Sequence, residues 1–225
     1  MKKPCLSACL IIIALIAAQA VFFGQNQTVP TLLKLAPPDL ASGGSLMQAL
    51  KDRCSVRSFA DTKLTPQQLA GLLWAANGVN RDDGKRTAPA ALNKQVVDIY
   101  VVLADGVYLY DAVDHQLLPV AQGDHRAKAG RQDFVAGAPV NLVFVADLAK
   151  LKDLPPFAAG LPDAEKLKWA YIAAGCQAEN VHLYCAAQGL GAVIRGLVDP
   201  AVFGPVIGLR PEQTIIMAQT VGVPK

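Results

Sequence analysis

Arg53-Cys54-Ser55-Val56-Arg57 sets two arginines and a serine at alternate positions. It follows an apolar helical pattern carried by Leu46 and Leu50. In extended backbone, residues i, i+2 and i+4 share a face. Arg53, Ser55 and Arg57 would then present two guanidinium forks and a hydroxyl to one object. That set suits a phosphate, because Arg binds it bidentately and keeps its charge at any relevant pH. A solvated basic turn is the other reading that the spacing alone allows.

Upstream, the N-terminus reads as a signal peptide over residues 1–20. Lys2 and Lys3 form a basic start, Leu10 to Ala18 is an unbroken apolar run, and Ala18-Gln19-Ala20 is a small-x-small cleavage site. The rival is an uncleaved membrane anchor, since Leu6 to Phe23 approaches the length of a span, although Ser7 and Gln19 weaken it. Without a twin arginine, export would follow the general unfolded route. Residues 21–44 read as a leader or linker, Pro-punctuated up to Pro38 and broken at Ser42-Gly43-Gly44.

The whole chain carries 21 Lys+Arg against 18 Asp+Glu. Removing Lys2 and Lys3 with the signal leaves 19 against 18, and this near-neutral balance gives no reason to expect a nucleic-acid partner. A 52% hydrophobic chain of 225 residues can bury one sizeable core. Cys5 and Cys9 leave with the signal, so Cys54, Cys176 and Cys185 remain. Cys176 and Cys185 lie half a turn out of phase on one predicted helix and cannot bridge within it. Three buried thiols and no disulfide framework are expected.

Downstream, Thr65-Pro66-Gln67-Gln68 is a helix start with a capping box, and Asn77-Gly78 ends that helix. Val97 to Leu103 is a strand. Val107–Tyr110 and Gln116–Val120 form a hairpin around Val113-Asp114. Asp124 to Phe134 is a short helix, Val140 to Val145 a buried strand, and Leu151 to Leu161 a mobile loop. Asp163 to Gln188 is a long helix stopped by Gly189, followed by strands at Gly191–Ile194 and Thr214–Val221 with a short helix from Asp199-Pro200 between them. Helices mixed with a hairpin make one α+β domain, residues 45–225.

Three further stretches join the first. They are Arg86-Thr87-Ala88-Pro89-Ala90-Ala91-Leu92-Asn93-Lys94-Gln95, Gly189-Leu190-Gly191-Ala192-Val193-Ile194-Arg195-Gly196, and the closing Val221-Gly222-Val223-Pro224. In this order the four resemble the FMN-dependent nitroreductase family over roughly residues 45–225. The segment from Gly106 to Asp111 with Leu117-Leu118-Pro119-Val120 resembles the branch containing azoline-oxidising peptide dehydrogenases. The resemblance implies a mainly antiparallel sheet surrounded by helices, and an interlocked homodimer with FMN at the interface.

The same resemblance assigns residue roles. Arg53 and Ser55 would hold the ribityl phosphate, and Arg57 the polar edge of the flavin, where positive charge favours the reduced anion. Pro89 would stiffen a loop from which Asn93 and Gln95 face the flavin; ordinary loop capping is the alternative for Asn93. Gly191 would permit close backbone approach, and the Gly196 amide would lie near the reactive flavin nitrogen. Two departures stand out. Arg195 replaces a frequent acidic residue, which should alter substrate charge preference, and Lys225 stands in for the basic residues that usually follow the last strand. Ala90 also replaces a common serine.

Other chemistries lack their residues. His115, His125 and His182 are scattered, so no metal site is expected. Gly189-x-Gly191-x₄-Gly196 is not a dinucleotide fingerprint, and there is no nucleophile elbow or phosphate-binding Walker loop. The expectation is an exported FMN-dependent oxidoreductase acting on a nitro or quinone acceptor, or dehydrogenating a C–N bond in a small molecule or peptide. A redox partner or the substrate itself would supply electrons. The alternative from a different class is a non-catalytic flavin-fold binding module.

Overall fold

The computed structural model describes residues 31–225. The expected signal peptide and residues 21–30 of the leader lie outside the described residues. The strands are β1 (Leu33–Lys34), β2 (Val97–Val102), β3 (Gly106–Asp111), β4 (Gln116–Gln122), β5 (Val140–Asp147), β6 (Gly191–Arg195) and β7 (Gln213–Gly222). The α-helices are α1 (Leu46–Asp52), α2 (Pro66–Asn77), α3 (Phe134–Gly137), α4 (Pro156–Ala159), α5 (Asp163–Ala187) and α6 (Pro200–Ile207). One antiparallel sheet in the order β1-β4-β3-β2-β5-β7-β6 forms the centre.

β5 reads as a nearly continuous apolar run because both of its faces are covered, and all eight of its residues are buried. Leu142 and Phe144 face a core built with Ala170, Ala174, Ala178 and Val181 of α5 and Leu72 and Leu73 of α2. Val143 and Val145 face the other side with Val135 of α3 and Phe203 of α6. Each fully buried Leu or Phe stabilises the fold by about 1.5–3 kcal/mol. The small residues of α5 are thereby spent on the sheet of the same chain. Ala174 is fully buried in this core.

The capping box forms as expected: Thr65 Oγ1 accepts from Gln68 N–H, and Gln68 Oε1 accepts from Thr65 N–H. α5 stops at Gly189, which takes φ +67°. Three expectations about elements need correction. The segment 151–161 is docked, with Leu151 and Ala158 buried around α4, so a mobile flap is not what the chain builds there. Residues 33–44 are also part of the domain and not a free linker. β1 pairs with β4, Gln67 Nε2 donates to Pro37 O, and Gly44 N–H donates to Ala187 O. The Asp124–Phe134 helix is replaced by a short 3-10 turn at Arg126–Lys128, with α3 after it. Among the described residues, Cys54, Cys176 and Cys185 are free thiols, but only Cys185 is buried as expected, Cys54 being exposed and Cys176 half-buried; no helix among them is long and apolar enough to cross a membrane.

Candidate functional site

Arg53 caps α1, its N–H donating to Ala49 O, and the chain leaves it extended. Segment 53–60 then lies between β6 and the chain's last residues. Ser55 bridges Ala192 in parallel, and Val56 N–H donates to Ala192 O at 3.0 Å. Ala60 N–H donates to Val223 O at 2.8 Å, and Lys225 N–H to Ser58 O at 3.2 Å. Gly191 is needed here for a packing reason. A Cβ at Gly191 would sit 2.7 Å from Val56 Cβ, so the glycine lets segment 53–60 close on the sheet.

This arrangement leaves a line of unspent donors. Among the described residues, the side chains of Arg53, Ser55, Arg57 and Lys225 make no hydrogen bond or ion pair, whereas most other arginines do. Arg57 and Lys225 line a cavity of about 520 Å³ with Phe59, Asp61, Arg126 and Phe134. The Phe59 and Phe134 rings, 6.1 Å apart, form its apolar side. Arg126 was not visible as a site residue in the sequence, because no motif marks it. Its guanidinium is held by both oxygens of Asp124 and donates to Ala138 O, and that pairing pushes the Asp124 carboxyl down and the guanidinium up from their ordinary values.

Two residues assigned from the last motif separate. Gly196 is exposed, with open space where a side chain would project. Arg195 instead turns inward and is 4% exposed. Its Nε donates to Thr220 Oγ1 at 2.8 Å, one terminal nitrogen to Ala129 O at 2.9 Å and the other to Asn141 Oδ1 at 3.0 Å. Asn141 Nδ2 continues the network to Val135 O. Burial pushes the Arg195 guanidinium down to about 10. Gly130 makes room for it, since a Cβ there would lie 2.0 Å from the guanidinium. Arg195 therefore ties α3 to the sheet, and the expectation that it selects substrates by charge is revised: its donors face protein.

Pro89, Asn93 and Gln95 lie on a loop whose 3-10 turn, Ala91–Asn93, holds Leu92 and Asn93 both at φ +53°. For leucine that conformation is strained. Gln95 Nε2 donates to Asn93 Oδ1 at 2.9 Å, while Gln95 Oε1 is sealed from solvent without a partner.

These residues do not form one site within one chain. Val97, just after the loop, is level with Ala146 and Thr214, whereas Ala192, beside Ser55, is level with Val221. The two groups thus sit at opposite ends of β7, with β5 and β7 between them. Strand rise and spacing put Ser55 and Val97 roughly 30 Å apart. The unspent cations and hydroxyl of segment 53–57 suit a phosphate and a carbonyl-rich ring edge. The orphaned Gln95 carbonyl suits a ring N–H, but on a molecule held elsewhere or by another copy.

Comparison with known proteins identifies the fold. The nitroreductase family profile matches residues 50–223. A nitroreductase-type protein of Methanocaldococcus jannaschii is 29% identical over 161 residues, covering 67% of this chain and 78% of its own. The crystal structure of one from Ralstonia eutropha superposes with a TM-score of 0.78 at 40% identity, covering 88% of this chain and 91% of that one. A third, from Desulfovibrio desulfuricans and crystallised in complex with FMN, shares the fold at a TM-score of 0.56 and 22% identity, over 81% and 88% of the two chains. Matched by the family profile over most of its length, the chain belongs to the nitroreductase family of oxidoreductases.

Proposed function

We propose that this is an exported FMN-dependent oxidoreductase that works as a homodimer. The observation that carries the cofactor reading is the row of unspent donors at Arg53, Ser55, Arg57 and Lys225 beside β6. When bound, FMN supplies the hydride or electron transfer itself. The chain's part is to hold the phosphate on Arg53 and Ser55, to set positive charge at the ring's polar edge with Arg57, and to offer the bare Gly196 backbone. The roughly 30 Å between segment 53–57 and the Asn93–Gln95 loop favours a second copy as the source of the loop.

FMN titration tests this. Arg53→Ala removes charge-assisted hydrogen bonds worth about 1.5–3 kcal/mol and should weaken FMN binding roughly 10- to 100-fold. Arg81→Ala, whose guanidinium is spent on Asn80 and Arg86 O, should leave it unchanged. Equal titration curves for the two variants would remove the assignment. Colourless protein that FMN cannot reconstitute would instead support a binding module without cofactor.

The electron source follows from export. Outside the cytoplasm NADH and NADPH are not regenerated, so a redox partner or the substrate reduces the flavin. Anaerobic stopped-flow should show slow bleaching of the flavin by either nucleotide. Fast, saturable reduction would point back to a conventional nitroreductase.

A further inference from the structure

A second cavity, of about 230 Å³, opens where the end of α2 meets β2 and β3. Leu109 and Leu118, half-buried cross-strand partners, give it an apolar patch. Arg86 lines the same cavity. Its guanidinium is half-buried, and among the described residues it makes no hydrogen bond or ion pair. Burial pulls it down from its ordinary value, against the raising influence of Tyr110, Asp111 and Asp98.

Among the described residues, neither nearby carboxylate pairs with Arg86. Asp98 pairs with Lys150. Asp111 accepts from Gln116 Nε2 at 2.9 Å and from the Val113 and Asp114 amides, which hold its carboxyl below the usual range. A second unmet group lines the same cavity. Asn77 is 2% exposed, and its Oδ1 is sealed without a partner. A half-buried guanidinium and a buried amide, both lacking partners, are costly unless something satisfies them.

The charges decide what that is. Arg86 and Lys150 balance Asp98 and Asp111, so a net ion of either sign gains little here. A ligand that presents a carboxylate to Arg86, an ammonium to the acids and an aliphatic body to Leu109 and Leu118 matches these charges and gives Arg86 its partner. We propose that this cavity binds a small zwitterion of the aliphatic α-amino-acid class, its carboxylate on Arg86 and its ammonium directed to Asp98 and Asp111. The proposal does not depend on the flavin.

Calorimetric titration of the purified protein with three probes tests it: L-leucine, 4-methylpentanoate, which lacks the ammonium, and 3-methylbutylamine, which lacks the carboxylate. L-Leucine should bind with a Kd at or below about 1 mM. Each half-probe should bind at least about 10-fold more weakly, and Arg86→Gln should weaken L-leucine by roughly 10- to 100-fold. If Arg86→Gln does not fold, Leu118→Trp, which narrows the cavity from its apolar patch, replaces it with the same expected loss. No saturable heat with L-leucine, equal binding of 4-methylpentanoate, or unchanged affinity in the folded variant would each overturn the proposal.

Discussion

Arg195 shows what a motif reveals and what it hides at the scale of one residue. The sequence places it correctly at the end of β6, but a motif match reports position and not direction. The side chain turns into the protein because Thr220, Asn141 and Ala129 O offer three acceptors and Gly130 leaves the space. None of those partners is near it in sequence, so the pattern had no way to signal them. Gly191 is similar, since its need for close approach is legible but its partner, Val56, is not. The extended course of residues 53–57 is more legible, because period-two spacing is a local property. Arg195→Glu, the charge type common in the family, should therefore be harmful in this chain. A buried carboxylate facing acceptors costs about 3 kcal/mol or more. The Tm should fall by roughly 6–12 °C, read by calorimetry. An unchanged Tm would mean that the side chain lies outside the network.

Elements with strong local signals were legible in the sequence: the Thr65–Gln68 box, the β3–β4 hairpin and the long helix ended by Gly189. The segment 33–44 was not, because proline spacing says nothing of partners such as Leu117, Gln67 and Ala187, which are remote in sequence. Its main fastening is His115. Leu35 N–H donates to His115 O, the ring Nε2 lies 3.0 Å from Ala36 O, and Nδ1 lies 2.9 Å from Tyr110 Oη. A neutral ring protonated on Nε2 donates to Ala36 O and accepts from the Tyr110 hydroxyl. Burial lowers the ring's pKa. A depressed folded value means that the stabilisation is complete above the unfolded pKa of about 6.5 and is lost as pH falls below it. Thermal melts should thus show Tm falling between about pH 7.5 and 5.5. His115→Asn keeps a residue that tolerates φ +47° and should flatten that slope. Parallel slopes for the two proteins would assign the pH dependence to another group.

At the scale of the whole molecule, the proposed homodimer would have to pair through a surface other than the alanine face of α5, which is buried against the sheet. The exposed apolar residues Tyr171 and Ile172 of α5 offer one. Ile172 is 65% exposed, so Ile172→Glu should leave the fold intact. It should shift sedimentation to a monomer and lower FMN affinity in step, because the Asn93–Gln95 loop would no longer reach segment 53–57. A monomeric variant that holds FMN as tightly as the parent would refute the shared site. The seam between segment 53–60 and residues 223–225 also bears on how the protein is handled. Lys225 lines the Arg57 cavity while its amide is tied to Ser58, so any purification tag joined after Lys225 begins beside that cavity. A C-terminally tagged preparation would be expected to come off the column pale, with its flavin content understated. A tag removed from the other end avoids that artefact.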